Sequence, residues 1–205
     1  MERACCRMKV LRHALFSFFC SKVVRVLKIL AVDQARHGAW AVFDYEEKKL
    51  LDYGVWGFDN RKYTFEQAIL HIEALINDVI HTHQIDAVFI EDIQLRRNVA
   101  SFKKLAQLQG VLVNLCEKNE YLYGLVAPTQ WQNFCKARGR TSKEIKDGVT
   151  TIETPKKGSK QLSLQAVREC YGIETDNDNL ADSIMLGHYV VNHIEISKET
   201  SHEKE

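Results

Sequence analysis

The sequence predicts an α/β fold in which a mixed sheet, antiparallel hairpin strands plus parallel strands, is flanked by helices. Three observations lead there. The run Val26 to Asp44, VLKILAVDQARHGAWAVFD, drives an apolar stretch into an acid and then turns back on itself, as an antiparallel hairpin does. A helical pattern separates this hairpin from a second apolar run ending in an acid, Ile85 to Glu91, IDAVFIE. A crossover through a helix implies a parallel partner, most simply the first strand. Finally, 205 residues with 45% hydrophobic, 27% charged and only two prolines suit one well-buried domain and leave no low-complexity linker.

In chain order, Leu27, Ile29, Leu30, Ala31 and Val32 are what a strand buried on both faces needs, and Asp33 closes it. Taken alone, Asp33 reads as a turn-capping aspartate. After the polar DQARHG, Ala39 to Phe43 returns beside the first strand, and Lys49 to Phe58 adds a third, with Tyr53, Val55 and Trp56 as strand formers. Thr64 is an expected N-cap, followed by Phe65, Ile69, Ile72, Leu75, Ile76, Val79 and Ile80 on one helix face. His71, His81 and His83 decorate that helix as solvated residues, since no second ligand cluster matches them.

Beyond Glu91, DIQLRRN leads into a long helix from about Val99 to Lys118, then a short strand, Tyr121 to Ala127. Pro128 suits the first position of a helix through Phe134. The next stretch is weakly periodic and reads as mobile up to Lys160. Leu162 to Tyr171 is a helix ended by Gly172, and a last helix follows TDNDN from Leu180 to His193. Asp176 or Asp178 is the expected cap of that helix.

The formal net charge of +1 excludes a globally basic coat, so any nucleic-acid contact must come from local clustering. Phe134 to Lys160 supplies it, with eight basic residues against three acids. Six cysteines without CxxC spacing make zinc and a disulfide scaffold poor readings and fit reduced, cytoplasmic thiols. Residues 1–25 form a basic, acid-poor extension, expected to be unstructured or loosely docked. An organellar leader is the alternative, Met8 is another candidate start, and the apolar patch Ala14 to Cys20 is too short to span a bilayer. Residues 26–195 are expected to form the domain and 196–205 an acidic, disordered tail.

Three acids in apolar settings, Asp33, Glu91 and Asp182, are the chemical signal. Asp182 lies a full turn inside the last helix, among Leu180, Ala181, Ile184, Met185 and Leu186, and shares a helix face with either Asp178 or Asn179. Brought together, such acids repel unless a cation joins them, and all-oxygen ligation selects Mg²⁺ or Mn²⁺. Two ions about 3.5 to 4 Å apart would activate water and stabilise the departing oxygen of a phosphodiester. No GxxxxGK[ST], HExxH or GxSxG competes with this reading.

This ordered set resembles the ribonuclease H-like superfamily and, within it, the RuvC-type Holliday junction resolvases. Residues 91–110, EDIQLRRNVASFKKLAQLQG, resemble the family's stretch from its catalytic glutamate through the long helix. NLADSIMLGHYV resembles its closing helix, and DQARHGAWAVFD looks more like the phage and Gram-positive relatives. The likeness spans roughly residues 27 to 194. It implies Asp33, Glu91 and Asp182 as metal ligands. Asn179 stands where the family has an acid or histidine, and Asp178 from the neighbouring turn is the favoured fourth ligand. By the same resemblance Gln94 and Leu95 occupy the position of a junction wedge, without an aromatic, and Arg96 and Arg97 grip phosphates beside it. Lys156, Lys157 and Lys160 are expected to contact DNA, with Lys160 favoured near the scissile phosphate.

The resemblance therefore implies an endodeoxyribonuclease using two Mg²⁺ ions, or Mn²⁺, to resolve four-way DNA junctions by hydrolysis. It implies a homodimer, with the Phe102 to Leu115 helix as an isologous interface, and no membrane or small-molecule substrate. A broad flap or fork nuclease of phage type and a catalytically silent branched-DNA-binding module are the alternatives. An actin-like nucleotide-binding fold is disfavoured because the phosphate-binding glycines are missing.

Overall fold

A computed structural model describes residues 26–95, 98–137, 143–146, 149–152 and 159–196, giving the backbone alone for 143–146, 149–152 and Ser159. The expected extension 1–25, residues 197–205 of the expected tail, and Arg96, Arg97, Lys156 and Lys157 lie outside the described residues.

A five-stranded sheet organises the chain. It contains β1 (Lys28–Asp33), β2 (His37–Asp44), β3 (Lys49–Gly57), β4 (Ala87–Glu91) and β5 (Leu122–Val126), in the order β3-β2-β1-β4-β5. The β1–β2 and β2–β3 pairs are antiparallel, while β1–β4 and β4–β5 are parallel. The parallel pairs follow from the intervening helices, α1 (Phe65–His83) between β3 and β4 and α2 (Val99–Lys118) between β4 and β5. Both of these helices pack on one face of the sheet, over Leu30, Val32, Val42, Val88 and Ile90.

The other face carries α3 (Pro128–Phe134), α4 (Ser159–Tyr171) and α5 (Asp178–His193) over Ile29, Ala31, Ala39, Ala41, Phe43, Ala87 and Phe89. Strand alternation sorts these two sets, because odd and even positions of one strand point to opposite faces. Alanine dominates the second set and lets α5 lie close to the sheet. The closest approach is at Gly187, where an added Cβ would stand 2.2 Å from Cε2 of Phe43.

Local signals set the helix ends. Thr64 and Gln67 close both arms of a capping box on α1, Gln67 N donating to Thr64 Oγ1 at 3.2 Å and Thr64 N to Gln67 Oε1 at 2.9 Å. Gly172 ends α4 with φ +68°, a conformation that favours glycine.

Two expectations are corrected. The N-cap of α5 is Asn177, whose Oδ1 accepts from Leu180 N at 3.1 Å, and neither Asp176 nor Asp178 fills it. This leaves Asp178 as the first helical residue. The stretch expected to lack regular structure before Lys160 contains an antiparallel hairpin, β6 (Lys143–Lys146) with β7 (Val149–Ile152). Its sequence signal is Asp147-Gly148 between β-branched residues, which helical periodicity cannot detect.

Candidate active site

The site lies where β1 and β4 end side by side. In the parallel pairing Val32 faces Ile90, so Asp33 and Glu91 each stand one residue further on, at the same edge of the sheet. Ile29 and Ala31 turn toward α5, and two-residue alternation sends Asp33 the same way; Ala87 and Phe89 do the same for Glu91. Asp182, one turn into α5, comes down on that face. Three carboxylates from positions 33, 91 and 182 therefore meet on one face of the sheet, largely shielded from water.

Electrostatics show the proximity. The carboxyl of Asp33, only 8% exposed, is held well above the usual range, first by burial and then by the charges of Glu91 and Asp182. It also hydrogen-bonds to Glu91 and feels Asp178. Burial, with Glu91 and Asp178 adding to it, pushes Asp182 up to about 7, while a hydrogen bond from Ser163 and the charge of Lys160 oppose the rise.

The residues present fit a divalent cation. Oδ1 of Asp182 is buried and has no hydrogen-bond partner, which is costly for a carboxylate unless a cation takes it up. The donors are all oxygens and suit a hard ion. Among the described residues no three His, Cys, Asp or Glu side chains close on one point as a ready-made metal cage. The mutual charge effects and the orphaned oxygen nevertheless put these carboxylates in one neighbourhood. They form a converging cluster at the ends of β1 and β4 and the first turns of α5.

The other expected site residues fall around this cluster. Asp178 is half-buried on the first turn of α5 and forms an ion pair with Lys160, the second residue of α4, so the expected fourth ligand and the expected phosphate-side lysine meet each other. This contact, more than any other, raises the Lys160 ammonium. Gln94 is exposed and Leu95 is 70% exposed, in the segment leading from β4 to α2.

Several supporting residues escaped the sequence reading. Trp131, fully buried in α3, donates Nε1–H to Oε1 of Glu91 at 2.9 Å. A buried tryptophan usually finds a partner for its N–H, but α3 is too short for periodicity to show which one. Ser163, buried in α4, hydrogen-bonds Asp182. Gln34, which follows Asp33, donates to the backbone oxygen of Glu91 at 2.9 Å.

Comparison with known proteins agrees with this geometry. Residues 29–167 match the family model described as crossover junction endodeoxyribonuclease RuvC. The crossover junction endodeoxyribonuclease RuvC of Sulfurovum sp. (strain NBC37-1) is 28% identical over 122 residues, covering 58% of this chain and 75% of that protein. Among solved structures, T. thermophilus RuvC in complex with a Holliday junction substrate superposes with a TM-score of 0.59 at 15% identity. It covers 79% of this chain and 90% of its own. A second Thermus thermophilus RuvC structure gives 0.58 at 16% identity, covering 79% of this chain and 92% of its own. The mixed sheet and its helices thus have the ribonuclease H-like fold, and the match across residues 29–167 shows that the chain belongs to the RuvC family of crossover junction endodeoxyribonucleases.

Proposed function

We propose that this protein is a metal-dependent endodeoxyribonuclease that resolves four-way DNA junctions by phosphodiester hydrolysis. The observation that carries the reading is the convergence of Asp33, Glu91 and Asp182 at one sheet edge, in a chain of this family.

Asp33, Glu91 and Asp182, with Asp178 as fourth member, would hold Mg²⁺, with Mn²⁺ as a substitute. Two such ions supply a water activated for attack and an electrostatic partner for the departing oxygen. Trp131 orients one oxygen of Glu91, and Ser163 orients Asp182, leaving Oδ1 free to ligate. Lys160 forms an ion pair with Asp178. When DNA enters, its exposed ammonium offsets charge at the scissile phosphate.

Branched DNA is the proposed partner. The exposed Gln94 and Leu95 flank the site, and Leu95 presents an apolar tip to the branch point. Arg96, Arg97, Lys156 and Lys157 are proposed as phosphate contacts that read shape more than base sequence. Two symmetric nicks require two sites, hence a homodimer, joined through the apolar residues of α2 that the sheet leaves half-exposed, Phe102, Leu105 and Val113.

Synthetic four-way, three-way, flap and linear DNAs with Mg²⁺, cut by the wild type and by Asp33→Asn, test this reading. Paired symmetric nicks in the four-way substrate alone, lost in Asp33→Asn, are the expected outcome. Equal cutting of flaps would replace it with a broad branched-DNA nuclease. Binding without metal-dependent cutting would replace it with a silent binding module.

A further inference from the structure

Behind the acid cluster, on the side of α2, two glutamines, Gln34 buried and Gln109 half-buried, join the parts of the site. Gln34 is 5% exposed, and its Nε2 donates both to the Glu91 backbone oxygen and to Oε1 of Gln109, each at 2.9 Å. The same Gln109 oxygen accepts from Ile93 N at 3.3 Å, and Gln109 Nε2 donates to Oδ1 of Asp92 at 3.2 Å. The orientation of both amides is forced. The Glu91 carbonyl can only accept, so Gln34 must offer nitrogen, which makes Gln109 present its oxygen here and its nitrogen to the Asp92 carboxylate.

Four pieces of chain are tied by this pair: the residue after Asp33, the backbone of Glu91, the start of the segment that carries Gln94 and Leu95, and the middle of α2. Stability alone does not account for it. Oε1 of Gln34 is buried without a partner, a cost that the fold carries at this place.

We propose that Gln109, acting through Gln34, is a positioning residue that sets Asp33 and Glu91 relative to each other and couples their placement to the 92–95 segment. The inference rests on the acid cluster being the cutting centre. Seating of DNA on Gln94 and Leu95 is then transmitted through Ile93 and Asp92 to Gln109, and from there to the two acids. Gln109 touches neither DNA nor the reacting atoms. It acts on turnover and on cation affinity, and leaves DNA affinity alone.

The test compares the full chain with Gln109→Leu, Gln34→Leu and Gln109→Glu. The last keeps an acceptor for Gln34 and Ile93 but sets a carboxylate against Asp92. Three quantities are read: cutting rate on a saturating four-way junction across a Mg²⁺ series, junction affinity without divalent ions, and the rise in thermal midpoint on adding Mn²⁺. We expect Gln109→Leu and Gln34→Leu each to cut at least tenfold more slowly, to need at least threefold more Mg²⁺, and to show a smaller Mn²⁺-induced rise. Junction affinity should stay within twofold. Gln109→Glu should fall between them and wild type.

Unchanged rate and Mg²⁺ requirement overturn the proposal, as does a loss of rate matched by an equal loss of junction affinity. If Gln109→Leu fails to fold, Gln34→Leu and Gln109→Glu decide by the same criteria. If the wild type cuts no junction, the cutting reading itself has failed. The positioning role is then judged on the Mn²⁺-induced rise alone, and equal rises in wild type and variants overturn it.

Discussion

Asp182 shows how a single carboxylate can weaken a fold in order to serve a site. Its pKa is pushed up to about 7, above the usual carboxylate range, chiefly by burial, and that of Asp33 is raised for the same first reason. A carboxyl that holds its proton more tightly when folded costs nothing below the unfolded pKa of about 4. The penalty grows as pH rises toward 7 and is constant above. The metal-free protein should therefore melt at a lower temperature at pH 8 than at pH 5. Asp182→Asn should remove part of that loss, on the order of 2 kcal/mol at pH 8, while abolishing cutting. Thermal melts at both pH values, with and without Mg²⁺, check this; Mg²⁺ should raise the wild-type midpoint and leave that of Asp182→Asn nearly unchanged. Trp131→Phe is the companion test. It keeps a buried ring but removes the donor to Glu91, so single-turnover cutting should fall about tenfold, the range for a lost charge-assisted hydrogen bond.

At the level of elements, the site depends on how closely α5 approaches the sheet. Gly187 lies against Phe43, and the alanines of β1, β2 and β4 leave room for the helix. Gly187→Ala should push α5 outward, costing about 1 to 3 kcal/mol by overpacking and carrying Asp182 away from Asp33. Chemical denaturation would read the first effect and cutting rate the second. Adding Phe43→Leu in the same chain should restore much of both, because the clash is with that ring. The capping box of α1 lies in another layer and sets only the start of its own helix. The turn after β1 is different: Trp56 Nε1 donates to the Ala35 oxygen at 2.9 Å, and the Arg36 guanidinium binds the carbonyls of Phe58, Tyr63 and Thr64. These bonds hold the chain just past Asp33 to β3 and the start of α1.

The whole molecule has two packed faces on one sheet, and only one carries the acids. Residues 26–196 contain every strand and helix described, and β1 starts at Lys28. A chain lacking residues 1–25 should fold with an unchanged far-ultraviolet spectrum and cut four-way junctions within about twofold of full length, since the five-stranded sheet and the acid cluster are built from residues 28 onward. A loss beyond tenfold would assign the extension a part in the site. Long-range charge should matter through local clusters, because the total is only +1. Cutting at subsaturating DNA is expected to fall steeply with salt, as for any protein that neutralises phosphates.

Local pattern was enough to determine the strands ending in Asp33 and Glu91, the capped α1, the extent of α2, the proline-started α3 and the acid-bearing last helix. Each is encoded by alternation, helical spacing or a cap within a few residues, and the order of acids along them carried the family likeness. It did not determine the partners of those acids. Trp131 on Glu91, Ser163 on Asp182, Lys160 on Asp178 and Gln109 on Gln34 join residues 18 to 75 positions apart, and no local periodicity records such pairs. Burial raises the pKa of Asp33 and Asp182 only once two layers close over them. That shift, and the unpartnered oxygen that prepares Asp182 for a cation, exist only in the packed molecule, because both arise from water being excluded by chain remote in sequence.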